Sequence, residues 1–155
     1  FPTRGRLPSK VRAADLDRDG KIDLVVSHCY TDDTIVIFFG DGGFRFSVSQ
    51  EIMLGKDRET AEQEIRDIVV DDLTGNGRPD IAAACYGSGE IAVLINTGGE
   101  GNTGAGRLPF RRETYSFENS RPRALCTADF NQNGKKDLAV ALWQSNAVGL
   151  LISRD

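Results

Sequence analysis

Short apolar runs, separated by turns rich in Gly, Asp and Asn, recur along the whole chain. Residues 44–53 alternate apolar and polar side chains, which is typical of a strand with one exposed face. The runs at 91–95 and 138–142 are apolar at every position, so they predict strands that are covered on both faces. Further runs with the length and composition of strands occur at 34–39, 65–72, 81–85, 110–117 and 147–152. The pattern predicts an all-β fold in which sheets stack face to face.

One acidic turn occurs three times at a fixed spacing. The copies begin at Asp15, Asp72 and Asp129, so the period is 57 residues in both intervals. Each copy lies between two apolar runs and carries Gly at its sixth position. A fixed period in this range predicts a repeat architecture, in which each repeat is one supersecondary unit.

The repeated order of strands predicts four-stranded antiparallel units that stack radially as the blades of a β-propeller. We treat residues 1–155 as a single propeller segment with approximate units 1–55, 56–117 and 118–155, the last of them incomplete. Three such units cannot close a ring, because the end units would expose apolar faces to water. We therefore expect further blades from the same protein or from other copies of the chain, or an open arc capped by another protein.

The acidic turns have the composition of cation-binding loops. Side-chain oxygens at positions 1, 3, 5 and 9, with a backbone carbonyl at position 7, can wrap a hard cation, and Gly at position 6 permits the sharp reversal. The predicted ligands are Asp15, Asp17, Asp19, Lys21 and Asp23; Asp72, Thr74, Asn76, Arg78 and Asp80; Asp129, Asn131, Asn133, Lys135 and Asp137. We expect up to three structural Ca²⁺ ions. The first loop, with four Asp against two in each of the others, should bind most tightly.

An EF-hand and a turn that binds no ion are two other interpretations of these loops. An EF-hand requires Glu at position 12, but Val26, Ala83 and Val140 stand there, and strand-like runs flank the loops in place of helices. The EF-hand is therefore excluded. Asp-Gly and Asn-Gly turns that bind no ion are the second interpretation, and the sequence leaves it open.

The three loops resemble FG-GAP or VCBS repeats, the calcium-binding blades of integrin α-subunit propellers and of related bacterial and fungal proteins. The resemblance extends over nearly the whole chain and implies a propeller with calcium in the loop that joins two strands of each blade. Such rings have about seven blades, more than this chain supplies. The residues that carry the resemblance are Asp15-x-Asp17-x-Asp19-Gly20-x-x-Asp23-Leu24, Asp72-x-Thr74-x-Asn76-Gly77-x-Pro79-Asp80-Ile81, Asp129-x-Asn131-x-Asn133-Gly134-x-x-Asp137-Leu138 and the turn Phe39-Gly40-Asp41-Gly42.

Composition and charge exclude several classes of protein. Hydrophobic content of 39% and charged content of 27% exclude wholesale disorder, and no apolar run approaches the length needed to span a bilayer. The net charge is −4, and much of the acidity is local, with four Asp in the first loop; no basic stripe typical of nucleic-acid binding is present. No signal peptide is visible, so we expect the chain to be mature, excised or cytosolic. Weak calcium sites suit millimolar extracellular calcium, which favours an extracellular or cell-surface location.

The three cysteines match no zinc pattern, and their odd number leaves at least one thiol unpaired within the chain. We expect Cys29, Cys85 and Cys126 to be small buried residues, with a Cys85–Cys126 disulfide as the alternative. Residues 55–64 could form one helical turn. The Gly-rich stretch 98–106 could be a binding loop or tolerated slack.

We expect a calcium-binding module for extracellular protein or glycan binding, or adhesion. A lectin of the fungal propeller type and an accessory domain of a secreted enzyme are the alternatives. Candidate sugar-stacking residues follow the second strands, where ordinary rim packing is the competing explanation: His28, Tyr30, Tyr86 and Trp143. The chain has one histidine and no readable nucleophile–base pair, so we expect no enzymatic activity.

Overall fold

The computed structural model describes residues 2–3, 5–29, 33–55, 63–98 and 107–154. In these ranges every regular element is a β-strand, which confirms the all-β prediction. The strands are β1 (Pro8–Ala14), β2 (Asp23–His28), β3 (Thr34–Gly40), β4 (Phe46–Met53), β5 (Ile65–Asp71), β6 (Asp80–Cys85), β7 (Glu90–Asn96), β8 (Phe110–Ser116), β9 (Pro122–Ala128), β10 (Asp137–Leu142) and β11 (Ala147–Leu151).

The strands form three antiparallel sheets in which neighbours in sequence are neighbours in space. Sheet 1 is β1-β2-β3-β4, sheet 2 is β5-β6-β7-β8, and sheet 3 is β9-β10-β11. The first strands contact one another in turn, β1 with β5 and β5 with β9. They therefore lie side by side as the inner strands of propeller blades do, and the structure is a partial propeller of the predicted kind.

Sheets 1 and 2 enclose the larger apolar core. Val25 and Ile37 of sheet 1 pack against Ile68, Ala83 and Leu94 of sheet 2, and all of them are at most 2% exposed. Because the side chains of a strand alternate between its two faces, the other residues of β6 and β7 point away from this core. They need a second sheet to cover them.

Sheet 3 provides that cover. Ala82 and Val93 of sheet 2 pack with Leu138 and Val140 of sheet 3 in the second core. The prediction that 91–95 is covered on both faces is therefore confirmed. The same prediction for 138–142 is wrong in the part of the chain that the structure describes. Ala141 on the outer face of β10 is exposed, because no further sheet covers that face there.

One buried carboxylate ties the three sheets together near the axis. Asp67 on β5 accepts a hydrogen bond from Arg12 Nη2 of sheet 1 at 3.0 Å through Oδ1. Its Oδ2 accepts a hydrogen bond from the backbone N–H of Leu125 in sheet 3, also at 3.0 Å. Asp67 thus fixes the relative position of β1, β5 and β9 by polar contacts that supplement the apolar cores.

Several minor predictions are also resolved. Cys29 and Cys85 are buried as expected, but Cys126 is exposed, and all three thiols are free, so the Cys85–Cys126 disulfide is wrong. Glu64 has a φ of 45°, so it does not continue a helical turn. Residues 56–62 and 99–106 of the two inserts lie outside the described residues. No helix in the described part of the chain has the length and apolar character needed to cross a bilayer.

Candidate metal centre

The three acidic loops, which we call loop 1 (residues 15–23), loop 2 (72–80) and loop 3 (129–137), share one hydrogen-bonding scheme. The carboxylate of Asp15 at position 1 accepts hydrogen bonds from the backbone N–H groups of Asp19 at 3.1 Å and Gly20 at 2.9 Å. Loops 2 and 3 repeat these bonds from Asn76 and Gly77 to Asp72 and from Asn133 and Gly134 to Asp129. Side-chain oxygens therefore replace the backbone pairing that a tight turn cannot make.

Each loop has left-handed backbone at positions 4 and 6. Position 6 is always Gly, whereas position 4 is Arg18 (φ 64°), Gly75 (φ 71°) and Gln132 (φ 60°) in the three copies. Only glycine adopts this conformation without steric cost. Gly75 therefore belongs to the loop geometry, and it lies at a position where no side-chain ligand is expected.

The Asp at position 9 closes each loop onto the following hairpin. Asp23 is 1% exposed, and its two oxygens accept hydrogen bonds from the backbone N–H groups of Leu16 and Gly40, each at 2.9 Å. Asp80 and Asp137 repeat this bridge, from Leu73 and Asn96 and from Phe130 and Ser153. Asp23 thus lies beneath the loop and outside the cluster formed by the carboxylates above it.

The lack of a side chain at Gly40 explains why the Phe39-Gly40 element stands at the end of β3. A Cβ atom at Gly40 would overlap the backbone carbonyl oxygen of Ile22. The end of β3 can therefore approach the loop closely enough to donate its N–H to Asp23 only because this residue has no side chain.

Loop 1 brings three of its predicted ligands together. Oxygen atoms of Asp15, Asp17 and Asp19 all lie within 4.8 Å of one another. Two oxygens on opposite sides of a calcium ion are about 5 Å apart, so these carboxylates fit one hard cation. Lys21, whose carbonyl is the predicted fourth donor, places its ammonium 2.8 Å from Asp19 Oδ2. That ammonium already supplies one counter-charge to the cluster.

Burial and mutual repulsion act on the loop carboxylates. Burial raises the pKa of Asp17, with a contribution from the neighbouring charges of Asp19 and Asp15, against a hydrogen bond from the Asp19 N–H. The Lys21 ammonium, by contrast, lowers the pKa of Asp19 through its hydrogen bond. Burial also raises the pKa of Asp23. A divalent cation among these groups would offset the repulsion.

Loops 2 and 3 use amides and a hydroxyl where loop 1 uses carboxylates. Thr74 donates its hydroxyl to Asp80 Oδ2 at 3.2 Å, and Asn76 Nδ2 donates to the carbonyl of Asn96. In loop 3, Asn131 and Asn133 both donate to the carbonyl of Ser153. These side chains tie loop 2 to the start of β6 and the end of β7, and loop 3 to the segment that follows β11. At position 7 the backbone N–H groups of Arg78 and Lys135 donate to the position 5 amide oxygens, as Lys21 does to Asp19.

Sequence reasoning missed Asn96 at the end of β7. Its side-chain amide donates to the carbonyl of Leu16 at 2.9 Å, which joins sheet 2 to loop 1 of sheet 1. Asn96 is fully buried and ends a run that is otherwise apolar from 91 onward. A polar residue at the end of a strand that is predicted to be buried was the signal in the sequence, because a buried amide needs hydrogen-bond partners.

The candidate sugar-stacking residues that the structure describes do not form one surface. Trp143 is 58% exposed and lies against Tyr86, with ring centroids 6.0 Å apart. His28 is fully buried, with Gly5 packed against its ring and Thr34 Oγ1 3.4 Å from Nδ1, so a sugar cannot reach it. The expectation for His28 is therefore wrong. Tyr30 lies outside the described residues.

Comparison with known proteins agrees with this geometry. A family model described as an FG-GAP-like repeat matches residues 15–83 and 72–140. Each match begins at the first Asp of a loop and ends in the second strand of the following sheet, and together the matches cover 15–140. No curated protein matches the chain significantly. The repeated loops, the stacked antiparallel sheets and these two matches identify the chain as a member of the FG-GAP-like repeat family.

Proposed function

We propose that this chain is a calcium-stabilised propeller segment that binds a protein or glycan outside the cell or at its surface. The observation that supports calcium most directly is the cluster of Asp15, Asp17 and Asp19 in loop 1. Carboxylate oxygens are the donors that calcium prefers, and all three loops have a left-handed glycine at position 6, which is Gly20 in loop 1.

The role proposed for the ion is structural. Loop 1 joins β1 to β2, and Asp23 beneath it bonds to the end of β3, so a cation held there fixes three strands of sheet 1. A cation that binds only the folded chain stabilises it by about 1.5 kcal/mol at ten times its dissociation constant. Millimolar extracellular calcium suits sites of this kind.

This role is tested by thermal unfolding in 10 mM calcium and in chelator. We expect calcium to raise Tm by about 3–6 °C for a chain of this length. The Asp17→Asn variant should lose most of that increase. Asp41→Asn, which changes an exposed carboxylate outside the loops, is the matched control and should keep it. Equal melting in calcium and chelator would contradict the structural role.

The partners proposed for the stack include further blades of the same type, from this protein or from other copies. Val148 and Leu150 on the outer face of sheet 3 are 71% and 51% exposed. Ala139 lies on the same face, paired with Leu150, and the period of 57 makes it equivalent to Val25 and Ala82. Val25 of sheet 1 packs against sheet 2, and Ala82 of sheet 2 packs against sheet 3. The outer face of sheet 3 is therefore equivalent to the faces of sheets 1 and 2 that the following sheet covers.

Light scattering tests this proposal. A concentration-dependent increase in mass that Leu150→Glu abolishes would support association of copies through this face. A monomer at every concentration would contradict association of copies and would favour blades from the same protein.

A lectin is the second candidate, because the Tyr86–Trp143 pair offers an exposed aromatic surface for a sugar ring. Glycan-array binding that Trp143→Ala abolishes would support it. A catalytic role is not proposed. The single histidine is buried, and the clustered carboxylates of loop 1 are accounted for as ion ligands.

A further inference from the structure

The end of the stack away from the acidic loops contains a basic cavity. The period of 57 places Ser9, Arg66 and Arg123 at equivalent positions near the starts of the inner strands β1, β5 and β9. These residues, together with Lys10 and Ala141 among others, line a cavity of about 400 Å³. That volume lies within the range of sites that bind small molecules.

The charges around this cavity favour an anion. Lys10, Arg66 and Arg123 line it, and none of the described residues that line it is a carboxylate. Arg66 is paired with Glu64 at 3.0 Å, and Lys10 is 3.9 Å from Asp67, a carboxylate that also serves Arg12. Arg123 is exposed and forms no ion pair with any carboxylate in the described ranges. Among the described residues around the cavity, positive charges therefore outnumber negative ones, which is the arrangement that attracts anions.

Aromatic side chains adjoin the basic residues. Arg66, which lines the cavity, lies over the Tyr86 ring with Cζ 5.0 Å from its centroid, and Arg121 lies 5.1 Å from the same ring. Tyr86 in turn contacts the exposed Trp143. Tyr86 and Trp143 are the equivalents, by the period of 57, of Cys29, which also lines the cavity. The guanidinium groups of Arg66 and Arg121 and the indole of Trp143 therefore all lie next to the Tyr86 ring.

We propose that this end of the stack binds an acidic saccharide. The carboxylate or sulfate group enters the cavity and is held by Arg66 and Arg123, because guanidinium groups bind planar or tetrahedral oxyanions with paired hydrogen bonds. The indole of Trp143 stacks on the apolar face of the sugar ring. This inference rests on the proposed binding function and names its ligand class, but it does not depend on calcium.

Calorimetric titration with three probes tests the inference: glucuronate, inorganic sulfate and glucose. Glucuronate should bind, and glucose should not. Arg123→Gln should weaken glucuronate binding about tenfold, the loss of one charge-assisted interaction. Trp143→Ala should weaken glucuronate binding several-fold and leave sulfate binding unchanged. The control is Arg45→Gln, which removes an exposed arginine in the turn between β3 and β4, far from the cavity.

Four results would overturn the inference. Binding of glucose as tight as that of glucuronate would exclude an anion site. Sulfate binding as tight as glucuronate, with no effect of Trp143→Ala on either, would exclude a saccharide. Glucuronate binding by Arg123→Gln equal to that of the parent would exclude this cavity. If no probe binds while calcium still raises Tm, the ligand class fails and the calcium-stabilised segment stands; urea midpoints of each variant verify folding.

Discussion

The polar tie between the three sheets predicts a large and specific cost for removing Asp67. In Asp67→Ala the buried backbone N–H of Leu125 loses its acceptor, and an unsatisfied buried donor costs about 1–3 kcal/mol. The ion pair with Arg12 adds at most about 1 kcal/mol, because the arginine side chain is 38% exposed and its charge is screened. We therefore expect the free energy of unfolding to fall by about 2–3 kcal/mol.

Urea unfolding measures this loss, which corresponds to a fall in midpoint of about 1 M at an unchanged slope. Two matched variants separate the contributions. Arg12→Ala removes only the ion pair and should cost about 1 kcal/mol or less. Asp67→Asn keeps an oxygen that can accept from Leu125 and should cost less than Asp67→Ala. If Arg12→Ala were as destabilising as Asp67→Ala, the hydrogen bond between sheets 2 and 3 would not be the main contribution.

Two further predictions concern loop backbone and thiol reactivity. Gly75→Ala places a Cβ at a φ of 71° and should lower the free energy of unfolding by about 1 kcal/mol. Arg18→Gly, at the equivalent position of loop 1, should leave the free energy of unfolding nearly unchanged, because the relief of backbone strain offsets the added entropy of the unfolded chain. Thermal unfolding compares the two variants, and equal effects would contradict the left-handed geometry assigned to position 4. A thiol reagent at pH 8 should modify Cys126 rapidly and leave Cys29 and Cys85 protected, because burial raises the pKa of both and brings that of Cys85 to about 12. Mass spectrometry counts the modified thiols, and rapid modification of Cys85 in the folded chain would contradict the core packing.

The loops and the order of strands were readable from the sequence because both depend on local chemistry. Asp15 and its two equivalents recur with glycine at fixed offsets, and those offsets determine the turn whatever surrounds it. The apolar run at 91–95 likewise predicted a strand covered on both faces, because a strand with one exposed face would alternate apolar and polar residues.

The remaining features depend on contacts between residues far apart in sequence. Asp67 joins Arg12 and Leu125, which lie 55 and 58 residues away, and no local pattern marks that partnership. His28 was misjudged because its burial depends on Gly5, a residue from a different segment that covers the ring. The basic cavity was missed for the same reason, since its residues come from three sheets.

The number of aspartates in each loop allowed the metal sites to be ranked by expected calcium affinity. It did not show which role each aspartate has. Four aspartates in loop 1 predict the tightest site, a ranking that stays a prediction. The sequence could not distinguish Asp23, which bonds beneath the loop to Leu16 and Gly40, from the clustered aspartates above it. That distinction arises from the close approach of β3.

Calcium titration of the chelator-treated chain by calorimetry tests the central claim most directly. The account predicts saturable binding at micromolar to millimolar calcium, with the tightest site lost in Asp17→Asn and retained in Asp41→Asn. No heat of binding up to 10 mM calcium, or the same titration curve for Asp17→Asn as for the parent chain, would contradict it.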